Sequence, residues 1–84
     1  MILSICIPTY NRTSHLNNCL NSIVIAKKKF KELKFEVCIS DNNSKIDPFE
    51  IIKNYKKELD IIYKRNNKNL GFAYNAIQVV SMAK

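Results

Sequence analysis

The stretch Phe35-Glu36-Val37-Cys38-Ile39-Ser40, followed by Asp41-Asn42-Asn43-Ser44-Lys45, decides the fold. A short apolar run reads as a strand, and the polar residues that end it read as a loop. The same alternation continues on both sides. Toward the N-terminus, Leu16, Cys19, Leu20, Ile23 and Val24 recur at helical spacing, with Asn17, Asn18 and Asn21 between them. Thr13 or Ser14 is placed to cap that helix, and the lysines at 27–29 suit its C-terminus. Before it, residues 2–7 form a nearly continuous apolar run ended by Pro8, the pattern of a strand buried on both faces.

Toward the C-terminus, Asp47-Pro48-Phe49-Glu50 is a helix start: a capping Asp, a Pro in the first helical position and a Glu three residues after the cap. Ile51, Ile52, Tyr55 and Leu59 give this helix an apolar side. A third strand is predicted over 60–64, a loop over Asn66-Asn67-Lys68-Asn69, and a last helix from Leu70 or Gly71. Phe72, Ala73, Ala76, Ile77, Val80 and Met82 are available to pack it. Strands that alternate with helices imply crossover connections and a parallel sheet. The expected fold is α/β: a three-stranded parallel sheet in order 3-2-1 with flanking helices. Strand 1 would then be a bare edge unless a fourth strand followed, so the chain reads as part of a larger domain.

Composition narrows the function. The chain has 84 residues, enough for one small domain or a part of one. Cys6, Cys19 and Cys38 form no C-x-x-C pair and stand beside a single histidine, which excludes the usual zinc spacings and argues against a disulfide scaffold. Each lies in an apolar stretch, as buried reduced thiols do. A Cys19–His15 catalytic pair is disfavoured because Cys19 falls on the apolar stripe. The net charge of +7, gathered at 27–34, 53–57 and 64–68, suits an anionic partner: nucleic acid, a nucleotide or an acidic membrane surface. The opening apolar run is too short to span a bilayer and lacks the marks of a leader.

Ligands of open α/β sheets bind beyond the carboxyl ends of the strands. Three loops meet there: Pro8 to Arg12, Asp41 to Ser44, and Asn66 to Asn69. Their hydrogen-bonding side chains and Tyr10 suit a planar, polar ligand such as a nucleobase. Gly71 is the only glycine, which excludes a dinucleotide fingerprint and a phosphate loop. A nucleotide would have to be held by side chains. A carboxylate only accepts hydrogen bonds. If Asp41 reads the base, it favours uracil, thymine or guanine and disfavours cytosine and adenine. The competing reading is a loop carboxylate that caps local backbone N–H groups.

Taken together, Ser4 to Arg12, Val37 to Ser44, and Asn69-Leu70-Gly71-Phe72 with Asn75 resemble the first three strand-and-loop segments of family 2 glycosyltransferases of the GT-A fold. Leu20, Ser22 and Ile23 resemble the first helix of that family. The resemblance implies that residues 1–84 are the N-terminal, nucleotide-sugar-binding part of a GT-A domain. It implies that Pro8, Thr9 and Tyr10 surround the base, with Tyr10 stacked on it, and that Arg12 also belongs to the nucleotide-sugar site. It makes Asp41 the acceptor from the base, followed by Asn43 and Ser44, and puts Gly71 and Asn75 near the sugar-diphosphate.

Tyr74 stands where many relatives carry Arg. The family's D-x-D metal motif and its acceptor-side carboxylate have no match in this chain. The resemblance therefore implies no catalytic or metal residue here, and no cofactor of the chain itself. Manganese or magnesium would serve the complete enzyme. Its partners would be a UDP-, dTDP- or GDP-sugar and an acceptor glycan or lipid-linked sugar, not nucleic acid. The setting would be the bacterial cytoplasm, either free or peripheral at the membrane's cytoplasmic face, in surface polysaccharide synthesis. The alternative is a non-catalytic nucleotide-binding module or a basic nucleic-acid-binding one.

Overall fold

A computed structural model describes residues 3–83. Strand β1 (Leu3–Thr9) leads to helix α1 (Thr13–Lys29), then strand β2 (Phe35–Asp41). A single α-turn, α2 (Phe49–Ile52), tightens into a 3-10 turn over Lys53–Tyr55 and leads to strand β3 (Ile61–Arg65) and helix α3 (Phe72–Ser81). The sheet is parallel throughout, in order β1-β2-β3, as expected. Register runs from Leu3 opposite Phe35 to Thr9 opposite Asp41, and from Val37 opposite Ile61 to Asp41 opposite Arg65. Thr9, Asp41 and Arg65 therefore stand side by side at the carboxyl ends.

β1 departs from its sequence reading. It runs on through Pro8 to Thr9, and its middle residues are half-buried rather than buried on both faces. Ile2, expected to begin it, lies outside the described residues. Leu3 N–H donates to Lys34 and the Thr9 carbonyl accepts from Asn42, so odd-numbered residues of β1 bond toward β2. Even-numbered Pro8 turns its missing donor to the open edge, where no ladder bond is lost.

The main core lies between the sheet and α1. Leu16, Leu20 and Val24, spaced four apart, meet Val37 and Ile39 of β2, with Ile52 and Leu59 closing one side. Cys19 falls off this stripe and is exposed, and Cys6 is only partly covered; Cys38 alone of the three thiols is buried. Burial, and then the charge of Glu36, pushes the Cys38 thiol up to about 11, so it stays protonated at neutral pH.

The helix ends also differ in part. Arg12, not Thr13 or Ser14, occupies the N-cap of α1, and no side chain caps it. Pro48, not Asp47, occupies the N-cap of α2, and no side chain caps it; Asp47 Oδ1 accepts from Phe49 N–H at 2.9 Å in the turn that leads in. Glu50 does not reach back to the cap; it pairs with Lys53 at 2.6 Å. The third strand is shifted one residue from the prediction, to Ile61–Arg65.

The largest departure is α3. It packs on the other face of the sheet, against β1 and β2. Its buried residues are Asn75 and Val79, whereas Phe72, Ile77 and Val80 are 78%, 72% and 63% exposed. The residues expected to pack it mostly point away. The face of β2 that it meets carries Ser40, which asks for a hydrogen-bonding partner.

Leu20 is fully buried. Leu20→Ala should cost about 2–5 kcal/mol, a large share of what so small a domain can hold. Urea unfolding followed by far-ultraviolet circular dichroism checks this. Ile25→Ala, at an exposed position of the same helix, should leave the midpoint nearly unchanged.

Candidate functional site

The three loops at the carboxyl ends are bonded to one another. Asn11 N–H donates to Ser44 Oγ at 2.7 Å, and Asn11 Oδ1 accepts from Lys45 N–H at 2.8 Å, joining the first loop to the second. Asn11 and Asn43 both adopt positive φ, which asparagine tolerates better than most residues. Asn42 joins the second loop to the third. Its Oδ1 accepts from Leu70 N–H at 2.8 Å and from Asn66 Nδ2 at 3.1 Å, while its Nδ2 donates to Asn69 Oδ1 at 2.8 Å.

Beneath this seam α3 is fixed by a reciprocal pair. Ser40 Oγ donates to Asn75 Oδ1 at 2.7 Å, and Asn75 Nδ2 donates back to the Ser40 carbonyl at 2.9 Å. Gln78 Nε2 donates to both Ser40 Oγ and Asn66 Oδ1. Among the described residues no buried side-chain polar atom lacks a partner. A polar cluster that is fully satisfied holds its members in one arrangement.

Above the cluster opens a cavity of about 510 Å³, lined by Pro8, Thr9, Tyr10 and Arg12 on one side and by Asn42, Asn69, Gly71, Phe72 and Asn75 on the other. That volume suits a ligand of nucleotide size. Tyr10 is 44% exposed, leaving much of its ring free to stack, and among the described residues Arg12 is the only charged one in the lining. Asn42 and Asn69 carry no individual role in the sequence reading, and Phe72 is expected there only to pack α3.

Asp41, Asn43 and Ser44 do not line the cavity. Asp41 is wholly buried. Its Oδ2 accepts from Ser44 N–H at 2.9 Å, its Oδ1 accepts from the Ser44 hydroxyl, and Arg65 Nε lies 3.4 Å away. The reason is strand alternation. Side chains two apart share a face. Asp41 follows Val37 and Ile39 to the α1 face, while Ser40 and Asn42 face α3 and the cavity. A base preference argued from the Asp41 carboxylate therefore does not follow from this arrangement.

Arg65 also reaches Asp47, at 4.0 Å, and Asp47 Oδ1 accepts from the Tyr63 hydroxyl at 2.7 Å. Desolvation opposes ionisation of Asp47. The Phe49 N–H, the Tyr63 hydroxyl and the Arg65 charge outweigh it and hold the carboxyl below its ordinary value. Burial, and then the Asp47 acceptor, raises the Tyr63 phenol above its ordinary range, so it remains a donor.

Two outcomes follow from this geometry. Gly71 has φ +88 and ψ 153, a region that side chains other than hydrogen avoid, although nothing lies within 4 Å of where a Cβ would sit. Gly71→Ala should cost about 1–3 kcal/mol through backbone strain, not crowding, read as a lowered melting temperature. As pH falls, the unfolded chain takes up a proton at Asp47 before the folded chain does. The stability due to Asp47 is full above the ordinary aspartate value and fades as pH drops through the lower folded value. Urea midpoints measured from about pH 7 to about pH 2 should fall less steeply in Asp47→Asn.

Comparison with known proteins places this architecture. A model of glycosyl transferase family 2 matches residues 4–84. Abequosyltransferase RfbV of Salmonella typhimurium is 45% identical over 85 residues, which cover 99% of this chain and 25% of that protein. Chondroitin synthase of Pasteurella multocida is 37% identical over 76 residues, covering 90% of this chain and 8% of the synthase. Residues 1–349 of Staphylococcus aureus TarS, crystallised in complex with UDP, superpose with a TM-score of 0.83 at 26% identity. That match covers 100% of this chain and 25% of the TarS chain. The chain spans a quarter or less of the length of each of these proteins. With a matched family model over nearly its whole length and the same α/β fold as TarS, the chain belongs to glycosyl transferase family 2.

Proposed function

We propose that this chain forms the nucleotide-sugar-binding part of a GT-A glycosyltransferase domain. The whole enzyme would transfer a sugar from a nucleoside-diphosphate donor to an acceptor hydroxyl in bacterial surface polysaccharide synthesis. One observation carries the reading: the cavity at the carboxyl ends sets a half-exposed aromatic ring, Tyr10, beside a single cation, Arg12, within an otherwise uncharged lining. A base can stack on the ring while the guanidinium offsets phosphate charge. Amide-rich walls supply donors and acceptors without a fixed charge. TarS, with which the chain shares its fold, was crystallised with UDP, which supports a nucleotide as the occupant.

In this reading Pro8 and Thr9 shape the base side of the cavity, and Gly71 and Asn75 shape the side toward the diphosphate. Asp41, with Ser44, acts one step removed, by fixing the loop from which Asn42 and Asn43 extend. The divalent ion implied for the complete enzyme does not fit the residues present. Among the described residues no three of His, Cys, Asp and Glu converge. Asp41 and Asp47, at the ligand end of the sheet, already share Arg65. We assign no catalytic step to this chain's side chains.

The test is titration of the chain with UDP and with uridine by calorimetry or nuclear magnetic resonance. Tyr10→Ala should weaken both ligands by roughly tenfold or more, since stacking on an aromatic ring contributes about 1–3 kcal/mol per base. Arg12→Gln should weaken UDP and leave uridine little changed. Equal affinities of wild type and Tyr10→Ala for both ligands would overturn the reading.

A further inference from the structure

We propose that the last turn of α1 and the turn that follows it form a docking surface for an anionic lipid bilayer. Lys27, Lys28 and Lys29 close α1, and Lys31 and Lys34 follow in the connection to β2. Among them Ile25, Phe30 and Leu33 are 60%, 50% and 52% exposed. Between residues 24 and 34 the only acidic side chain is Glu32. Cations interleaved with exposed apolar side chains are what an acidic membrane interface selects: the charges meet the headgroups while the apolar groups enter the acyl boundary.

The local structure suits that environment. Phe30 N–H donates to the Ala26 carbonyl at 2.9 Å, and Leu33 N–H donates to the Phe30 carbonyl at 3.1 Å, so these backbone donors keep their partners away from water. Lys29 Nζ sits 5.9 Å from the Phe30 ring centroid. Lys27 Nζ donates to the Glu58 carbonyl at 2.7 Å, which ties the end of α1 to the turn before β3. Beside it a slot of about 380 Å³ is floored by Val24 and rimmed by Lys27, Lys28, Lys31 and Glu58, with a mainly basic mouth open to a phosphate headgroup.

A nucleic acid is the poorer match. Its bases need ring faces on which to stack, and two of the three exposed apolar residues here are aliphatic. The surface lies at the far end of α1 from the nucleotide cavity, about 25 Å away at the helical rise per residue. The proposal does not depend on the nucleotide reading.

The test is co-sedimentation of the 84-residue chain, without nucleotide, with vesicles of phosphatidylcholine alone and of phosphatidylcholine with phosphatidylglycerol. Binding to the anionic vesicles only, weakened by added salt, is expected. Lys28→Gln with Lys31→Gln should lower the partition coefficient roughly 25-fold, at about fivefold per lysine. Phe30→Ser with Leu33→Ser should also release the chain at constant charge. All four positions are exposed, and a melting curve of each variant matching wild type confirms that folding is intact. Equal binding to neutral and anionic vesicles would overturn the proposal. So would unchanged binding of the Phe30→Ser, Leu33→Ser variant, or a single-stranded oligonucleotide that binds more tightly than the vesicles at the same salt.

Discussion

The reciprocal hydrogen bonds between Ser40 and Asn75 are what the rest of the ligand end depends on. A helix laid on a parallel sheet is ordinarily held by apolar area, which tolerates sliding. Here the inner side of α3 offers Asn75 and Gln78 to Ser40 and Asn66, and directional bonds fix its height and rotation. Once α3 is fixed, Gly71 and Phe72 at its start are fixed too, and so is one wall of the cavity. Breaking one member leaves the others buried without partners, at a cost of about 1–3 kcal/mol for each group stranded. The arrangement exchanges some hydrophobic stabilisation for a defined geometry.

The same bonds explain why α3 turns its apolar residues outward. A helix cannot present Asn75, Gln78 and Val79 to the sheet and also bury Ile77 and Val80 there, because these occupy different sides of its circumference; Phe72, seven residues before Val79, shares its side but sits in the first turn, where it lines the cavity. The outward residues form an apolar face beside the open edge of β1, where Pro8 is tolerated for want of a partner strand. Edge and face together carry no charged side chain between Phe72 and Ser81. An edge so lightly protected invites pairing.

Strand order, the parallel direction of the strands and the meeting of three loops were all legible in the sequence, because apolar runs alternating with helical spacing leave few topologies open. Pro8 misled because its breaking effect depends on which way its nitrogen points, and that is known only once β1 is an edge. Ile77 and Val80 point outward because the surface that α3 meets carries Ser40, so hydrophobicity does not mark the inner face of this helix. Cys19 misled by lying three residues from Leu16, close enough to the stripe to share its pattern and far enough round to miss the core.

Asp41 is the most instructive position, because the information that places it was present. Val37 and Ile39 are the apolar residues that must meet α1, and Asp41 has their parity. Alternation alone puts its carboxylate on the α1 side and hands the cavity side to Ser40 and Asn42. Sequence reasoning followed chemical type, in which the lone carboxylate of a polar loop attracts a role. Strand parity points the other way, giving the cavity side to Ser40 and Asn42. An amide at position 42 differs from a carboxylate in kind, since it donates as well as accepts. In this chain both functions are spent on Leu70, Asn66 and Asn69. The wall beside Tyr10 is thereby uncharged and held still. The cavity lining still holds groups with free hydrogen-bonding capacity. One is the Asn69 amide nitrogen: its oxygen is occupied by Asn42 and Gly71, while its two hydrogens remain to be offered.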